Sequence, residues 1–259
     1  NSYLIDDEMV ALVDTVDICY FEVYLRKIKQ VIGERPINYL IINHMEPDHS
    51  GSIRLIKQHY PGIIIVGNKQ TFGMIEGFYG VTGEQYLVKE GDFLALGRHK
   101  LRFYMTPMVH WPETMMTFDE TDGVLFSGDG FGCFGTVDGG FLDTRINVDK
   151  YWGEMVRYYS NIVGKYGSPV QKALQKLGGL PISAICSTHG PVWTENIAKV
   201  IGIYDRLSRY DADEGVVIAY GSMYGNTEQM AEAIAEELSA QGVKNIVMHN
   251  VTKSHPSYI

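Results

Sequence analysis

Short apolar runs rich in β-branched and aromatic residues recur along the chain at 3–5, 10–13, 37–42, 63–66, 101–107, 114–118, 124–127 and 182–187. Their length and the turn residues that bound them predict strands. Between them, apolar positions return with a helical period, and helices are expected over 21–32, 52–59, 71–78, 150–163, 169–177 and 194–210. In the fourth of these, positions 152, 155, 156, 159 and 163 carry the apolar and aromatic residues. Up to Tyr210 the class implied is sheets covered by helices. The pattern changes after the polar stretch Asp211-Ala212-Asp213-Glu214. An apolar strand at 216–220, a small-residue turn at 221–226, an Ala/Glu-rich helix at 227–239 and a strand at 246–251 follow. Strand, turn, helix, strand opens a doubly wound α/β domain. Domains are therefore expected over 1–212 and 213–259, with the boundary near Asp213.

Composition narrows the function classes. The 22 Lys and Arg against 31 Asp and Glu give a net charge of −9, without the basic stripe that nucleic-acid backbones require. The apolar runs are strand-length, far short of a membrane span, and no charged-then-apolar leader opens the chain. Cys19, Cys133 and Cys186 are odd in number, form no Cys-x-x-Cys pair and lie in apolar company. They read as buried thiols of a reducing compartment, and the expected location is the cytoplasm. The first residue is Asn1 and the last, Ile259, lies just past a strand-like run, so both ends are expected to continue.

The strongest chemical signal is His44-Met45-Glu46-Pro47-Asp48-His49, directly after the apolar run 37–42. Four potential metal ligands within six residues at the end of a strand are hard to justify by packing. His110, Asp129 and His189 each follow the end of a later strand, where open α/β sheets place their sites. His59, His99, His249 and His255 lie elsewhere and read as surface or satisfied side chains. A second signal is Ser222-Met223-Tyr224-Gly225-Asn226-Thr227, between a strand and a helix start. Small and hydroxylated residues there surround a phosphate with N–H groups at a helix N-terminus. No lysine is present, so this is not the Gly-x4-Gly-Lys-Ser/Thr nucleotide loop.

The order and spacing of the seven ligands resemble the metallo-β-lactamase fold, an αββα sandwich with two metals between its sheets. Zinc hydrolases of that fold carry His-x-His-x-Asp-His in the first loop, and here the second histidine position is Glu46. Three carboxylates against two divalent cations leave about one net positive charge, and oxygen-rich ligation with imidazole favours iron over zinc. The Ser-x-Tyr-Gly-Asn-Thr loop resembles the phosphate loop of flavodoxins, which hold FMN without a cationic side chain. Together these features resemble the flavodiiron proteins, in which a metallo-β-lactamase-like di-iron domain precedes a flavodoxin-like FMN domain. The motifs 45–51, 110–114 and 127–132 carry the likeness.

The resemblance implies that His44, Glu46 and His110 bind one iron, that Asp48, His49 and His189 bind the other, and that Asp129 bridges them. It implies FMN on residues 222–227 and reduction of NO to N2O, of O2 to water, or both. It also implies an electron donor such as rubredoxin or reduced deazaflavin, and a head-to-tail homodimer or dimer of dimers that brings one subunit's flavin to the other's irons. A chain of charge −9 needs a local basic patch to dock an acidic rubredoxin. Tyr158, on the aromatic helix 150–163, is expected to line the substrate pocket and donate a hydrogen bond there, with Trp111 beside a ligand. The later loops that would flank the flavin ring are expected beyond Ile259, so residues 1–259 alone are expected to keep the iron site and hold FMN weakly. The alternative is a di-zinc hydrolase, thioesterase-like, fused to a flavodoxin-like electron-transfer domain; Glu46 and the flavin loop argue against it.

Overall fold

In the computed structural model, which describes residues 1–259, the early apolar runs pair into a five-stranded sheet. Its strands are β1 (Tyr3–Ile5), β2 (Ala11–Val13), β3 (Tyr39–Ile41), β4 (Ile64–Gly67) and β5 (Gln85–Leu87), in that spatial order. β1 runs antiparallel to β2, and the remaining pairs are parallel. The crossovers carry α1 (Phe21–Ile32), α2 (Pro47–Ser50), α3 (Ile53–His59) and α4 (Lys69–Tyr79). The second sheet has six strands in the order β11-β10-β9-β8-β7-β6: β6 (Phe93–Ala95), β7 (Lys100–Met105), β8 (Met115–Asp119), β9 (Val124–Gly128), β10 (Ala184–Ser187) and β11 (Val192–Trp193). Only β9 and β10 pair in parallel there, and their crossover holds α5 (Asp149–Tyr158) and α6 (Gly167–Leu177); α7 (Ile197–Ser208) follows β11.

Alternation along the strands builds three apolar layers. Leu12, Leu40 and Ile65 pack with Leu25, Ile28, Ile56 and Phe72 of the helices. Their strand neighbours Val13, Ile41 and Val66 pack instead with Leu101, Phe103, Phe126 and Cys186 of the second sheet. On the outer side of that sheet, Phe118, Leu125, Ile185 and Trp193 meet Met155, Tyr158, Ala173, Val200 and Tyr204 of the helices. Helices, sheet, sheet and helices form the αββα sandwich that the sequence led us to expect.

The chain divides into two units, Asn1–Arg209 and Tyr210–Ile259. In the second, β12 (Val216–Tyr220) and β13 (Ile246–Asn250) pair in parallel across α8 (Asn226–Ala240). The apolar run 216–220 is not buried throughout: Val217 is 61% exposed and alternates with half-buried Val216 and Ile218. The helical stretch 150–163 also differs from expectation. α5 stops at Tyr158, and the chain continues through a π-helical turn, Tyr159–Val163, and a 3-10 turn, Gly164–Tyr166. Ser160 Oγ donates to the Val156 carbonyl and Asn161 Nδ2 to the Arg157 carbonyl, satisfying acceptors that a continued α-helix would use. Among the thiols, Cys133 and Cys186 are buried, and burial pushes each up to about 12. Cys19 is exposed, because it lies in the 3-10 turn Ile18–Tyr20 that Asp17 caps at the surface. No helix is long and apolar enough to cross a membrane.

Candidate metal centre

The loop after β3 is held from both sides. Asp14 Oδ1 accepts from the N–H groups of Asn43 (2.8 Å) and His44 (3.2 Å), which fixes the direction in which the chain leaves the strand. Pro47 then starts α2 at a position where its missing N–H costs nothing. Ser50 Oγ donates to the Met45 carbonyl at 2.7 Å, and Thr15 donates to the His49 carbonyl through both N and Oγ1 at 2.7 Å. Gly51 closes the turn, since a Cβ there would sit 2.6 Å from the Pro47 carbonyl oxygen. His110 projects from a loop tied to itself: Met108 N reaches the Trp111 carbonyl (2.7 Å), and Thr114 Oγ1 reaches the same carbonyl (2.9 Å). Asp129 follows β9, and His189 follows β10.

These segments bring all seven expected ligands into two groups, His44, Glu46, His110 and Asp129 in one and Asp48, His49 and His189 in the other. His110 Nε2 lies 3.2 Å from Glu46 Oε2 and 3.1 Å from Asp129 Oδ2, and His44 Nε2 lies 3.3 and 3.8 Å from the same two oxygens. On the other side, His49 Nε2 lies 3.1 Å from Asp48 Oδ2, 3.0 Å from Asp129 Oδ1 and 3.0 Å from His189 Nε2. Asp129 thus turns one oxygen to each group. Ligand atoms about 2.0–2.2 Å from a shared cation stand about 3 Å apart when their bonds meet at right angles, so these spacings suit two metal positions. His49 Nε2 points into the second group with the rest, as a ligand must.

The electrostatics agree. Burial disfavours a charge on His44, yet hydrogen bonds to Glu113 and Glu46 push it up to about 10. Against burial as well, Asp129 and Asp48 push His49 up to about 9. His110 and His44 hold Glu46 down to about 2. Burial would raise Asp129, but His110 and His49 bring it well below the ordinary carboxylate range. A pocket in which three carboxylates are balanced by protonated imidazoles is one where divalent cations can replace the protons, so metal uptake should release protons and weaken in acid.

Three residues around the centre had not been singled out as site residues. Glu113 is fully buried, and its Oε1 lies 2.9 Å from both His44 Nδ1 and Met45 N. Thr188 Oγ1 donates to Asp129 Oδ1 at 2.6 Å, and Asp14 anchors the ligand loop. Only Glu113 left a signal in the sequence, a lone carboxylate in the short motif that also holds His110. Trp111 stands edge-on to the His44 ring at 5.2 Å. Tyr158 packs its ring on His189 (5.5 Å) and Phe134 (5.1 Å), and its buried hydroxyl has no hydrogen-bond partner. Burial and then the charge of Asp129 push that phenol well above its ordinary value.

In the second unit, residues 221–225 form the loop between β12 and α8, and Asn226 and Thr227 begin the helix. Gly225 takes φ +87°, and its N–H meets Ser222 Oγ at 3.0 Å, while Met223 and Tyr224 are each 86% exposed. The six expected phosphate-loop residues are therefore one contiguous surface turn at a helix start.

Comparison with known proteins fits this arrangement. The model of the ODP family beta lactamase matches residues 1–190, and that of flavodoxin matches residues 218–259. The chain belongs to the ODP family, the flavodiiron type of β-lactamase-fold protein. It is 28% identical to the flavodiiron protein from Giardia intestinalis, with a TM-score of 0.95 over all of this chain and 63% of that one. It is 30% identical to the rubredoxin oxygen:oxidoreductase of Desulfovibrio gigas, with a TM-score of 0.94 over 99% of this chain and 65% of that one. A nitric oxide reductase of Moorella thermoacetica is 31% identical over 93% of this chain and 61% of its own length. The chain spans between 45% and 61% of the curated relatives it first matches.

Proposed function

We propose that the intact protein is an oxidoreductase that reduces nitric oxide to nitrous oxide, dioxygen to water, or both, at two irons, with electrons arriving through FMN. His44, Glu46 and His110 hold one iron, Asp48, His49 and His189 the other, and Asp129 spans the two. The carrying observation is that Asp129 divides its oxygens between two donor groups, each completed by one carboxylate and two imidazoles. Glu46 in the place of a third histidine makes the set oxygen-rich, which suits iron. When bound, the iron pair supplies redox chemistry and a place for two NO molecules or one O2; the flavin supplies electrons one at a time or in pairs. The side chains orient and insulate. Tyr158, itself backed by Phe134, packs on His189, and Thr188 donates to Asp129 Oδ1 and so holds that carboxylate in place.

Two NO molecules need two electrons and two protons to give N2O and water, so a group that orients the reactants by hydrogen bonding without losing its own proton serves the site. Tyr158 fits that need: burial and the charge of Asp129 keep its phenol protonated, and its hydroxyl is buried without a partner. Tyr158→Phe should lower turnover roughly 10-fold, the worth of one hydrogen bond. It should leave the melting temperature unchanged or raise it slightly, because an unsatisfied buried hydroxyl is removed. A variant with full turnover would remove Tyr158 from the reaction.

Ser222, Met223, Tyr224, Gly225, Asn226 and Thr227 hold the FMN phosphate, with N–H groups at the start of α8 favouring the anion. A head-to-tail dimer brings each flavin to its partner's irons, and rubredoxin or a reduced deazaflavin feeds the flavin; the resemblance to the family supports both. The test is a steady-state comparison of NO and O2 consumption by the full-length, iron- and FMN-loaded protein with reduced rubredoxin. Turnover of one or both gases is expected, and hydrolysis of a thioester with neither gas consumed would favour the zinc hydrolase.

A further inference from the structure

The two metal positions have the same donor composition: one carboxylate, two imidazoles and one oxygen of Asp129. What lies behind the donors differs. His44 is the one histidine of the four whose outer nitrogen meets a carboxylate, Glu113 Oε1 at 2.9 Å. That oxygen also accepts from Met45 N at 2.9 Å, so it is fixed by the backbone of the ligand loop itself. Glu113 is wholly buried, and its second oxygen, Oε2, has no partner at all. The equivalent atom in the other position, His49 Nδ1, is buried and equally without a partner. His189 is also the more open of the outer pair, its side chain 33% exposed against 11% for His110.

We infer that Glu113 is a positioning residue that makes the two metal positions unequal, so that the one held by His44, Glu46 and His110 fills first and keeps its cation longer. This rests on the metal-centre reading above and goes beyond it. Accepting from Nδ1–H fixes the His44 tautomer with Nε2 free for the metal, and the carboxylate behind the ring raises the basicity of that nitrogen. A carboxylate buried with one oxygen unsatisfied is costly unless a positive charge stands near, and a cation on the far side of the imidazole supplies it. The position of His49 has no such hydrogen bond: its Nδ1 is buried without a partner, and Asp14 acts on the ring through its charge alone.

The experiment is a titration of the metal-stripped full-length protein with cobalt(II), followed by its visible absorption against a competing chelator. The wild type should take up two ions in two steps roughly 10–100-fold apart, the usual worth of an outer carboxylate. Glu113→Gln keeps the shape and removes the charge; it should weaken the tighter step by about that factor and leave the other unchanged. His110→Ala should abolish the tight step and His189→Ala the weak one. Equal weakening of both steps by Glu113→Gln, an unchanged gap, or the reverse assignment would overturn the inference while leaving the metal centre standing. A wild type that binds no cobalt would overturn both. A measurement without any variant adds to this: in the zinc-loaded wild type, 15N-edited NMR should show His44 protonated at Nδ1, with its proton far downfield. A His44 ring protonated at Nε2 contradicts the role of Glu113 whatever the variants do.

Discussion

Replacing Asp129 by alanine should empty both metal positions at once, whereas Glu46→Ala or Asp48→Ala should impair one. Asp129 is 3% exposed, with Oδ2 beside His110 and Oδ1 beside His49 and Thr188. One substitution therefore removes a donor from each group and leaves the imidazoles facing each other without the carboxylate between them. Outer partners of metal ligands are worth about 10–100-fold in affinity. Loss of a shared ligand should exceed that at each position, and gas reduction should fall by more than about 100-fold. Metal content per chain, measured on the purified variant after reconstitution, checks this. A variant that retains two metals would show that Asp129 lies beside the centre without bridging it.

The second large effect concerns stability. Asp143 is 3% exposed and accepts five hydrogen bonds at the start of α7: from Thr194 N (3.0 Å), Thr194 Oγ1 (2.6 Å), Glu195 N (3.1 Å), Asn196 N (2.9 Å) and Asn196 Nδ2 (2.9 Å). It ties the loop before α5 to the segment that leaves β11, the partner of the strand that His189 follows. Asp143→Ala strands those donors and should cost about 3 kcal/mol. For a unit of this size that lowers the melting temperature by about 6–12 °C. The sign of the pH dependence follows from the group. Burial works to raise Asp143, but the hydrogen bonds from Thr194 and Asn196 prevail and hold it below its ordinary 3.8. Its contribution is thus complete above that value and is lost as the pH falls through the lower folded value. The gap in stability between wild type and Asp143→Ala should be constant near neutrality and shrink in acid. A gap that grows in acid, or a variant as stable as the wild type, would contradict this role.

Much of the architecture was legible in the chain because two periods are written into it. The helix 21–32 appears with those bounds, since its apolar stripe Phe21, Leu25, Ile28 and Ile32 has no competing polar position. The short edge strands β5, β6 and β11 were not legible. Three residues or fewer make no alternation, and Gln85, Tyr86 and Leu87 are all exposed, so pairing with β4 rather than burial defines that strand. The helix expected over 194–210 begins only at Ile197, because Asp143, distant in sequence, captures the N–H groups of Thr194 to Asn196. The candidate ligands stand out in the sequence for another reason. Charged residues where apolar strands end have no packing use, and all seven converge. Glu113 was harder to find: a buried carboxylate reveals its purpose only when its partner, His44, 69 positions away, is placed against it.

The central claim is a pair of irons in the chain's β-lactamase-like unit, and metal analysis of the intact protein tests it most directly. The protein is purified without oxygen, its metals counted, and any zinc removed and replaced by ferrous iron before the visible and Mössbauer spectra are taken. Two irons per chain in two unequal environments, both lost in Asp129→Ala, is the result predicted here. Two zincs per chain that iron does not replace would contradict it.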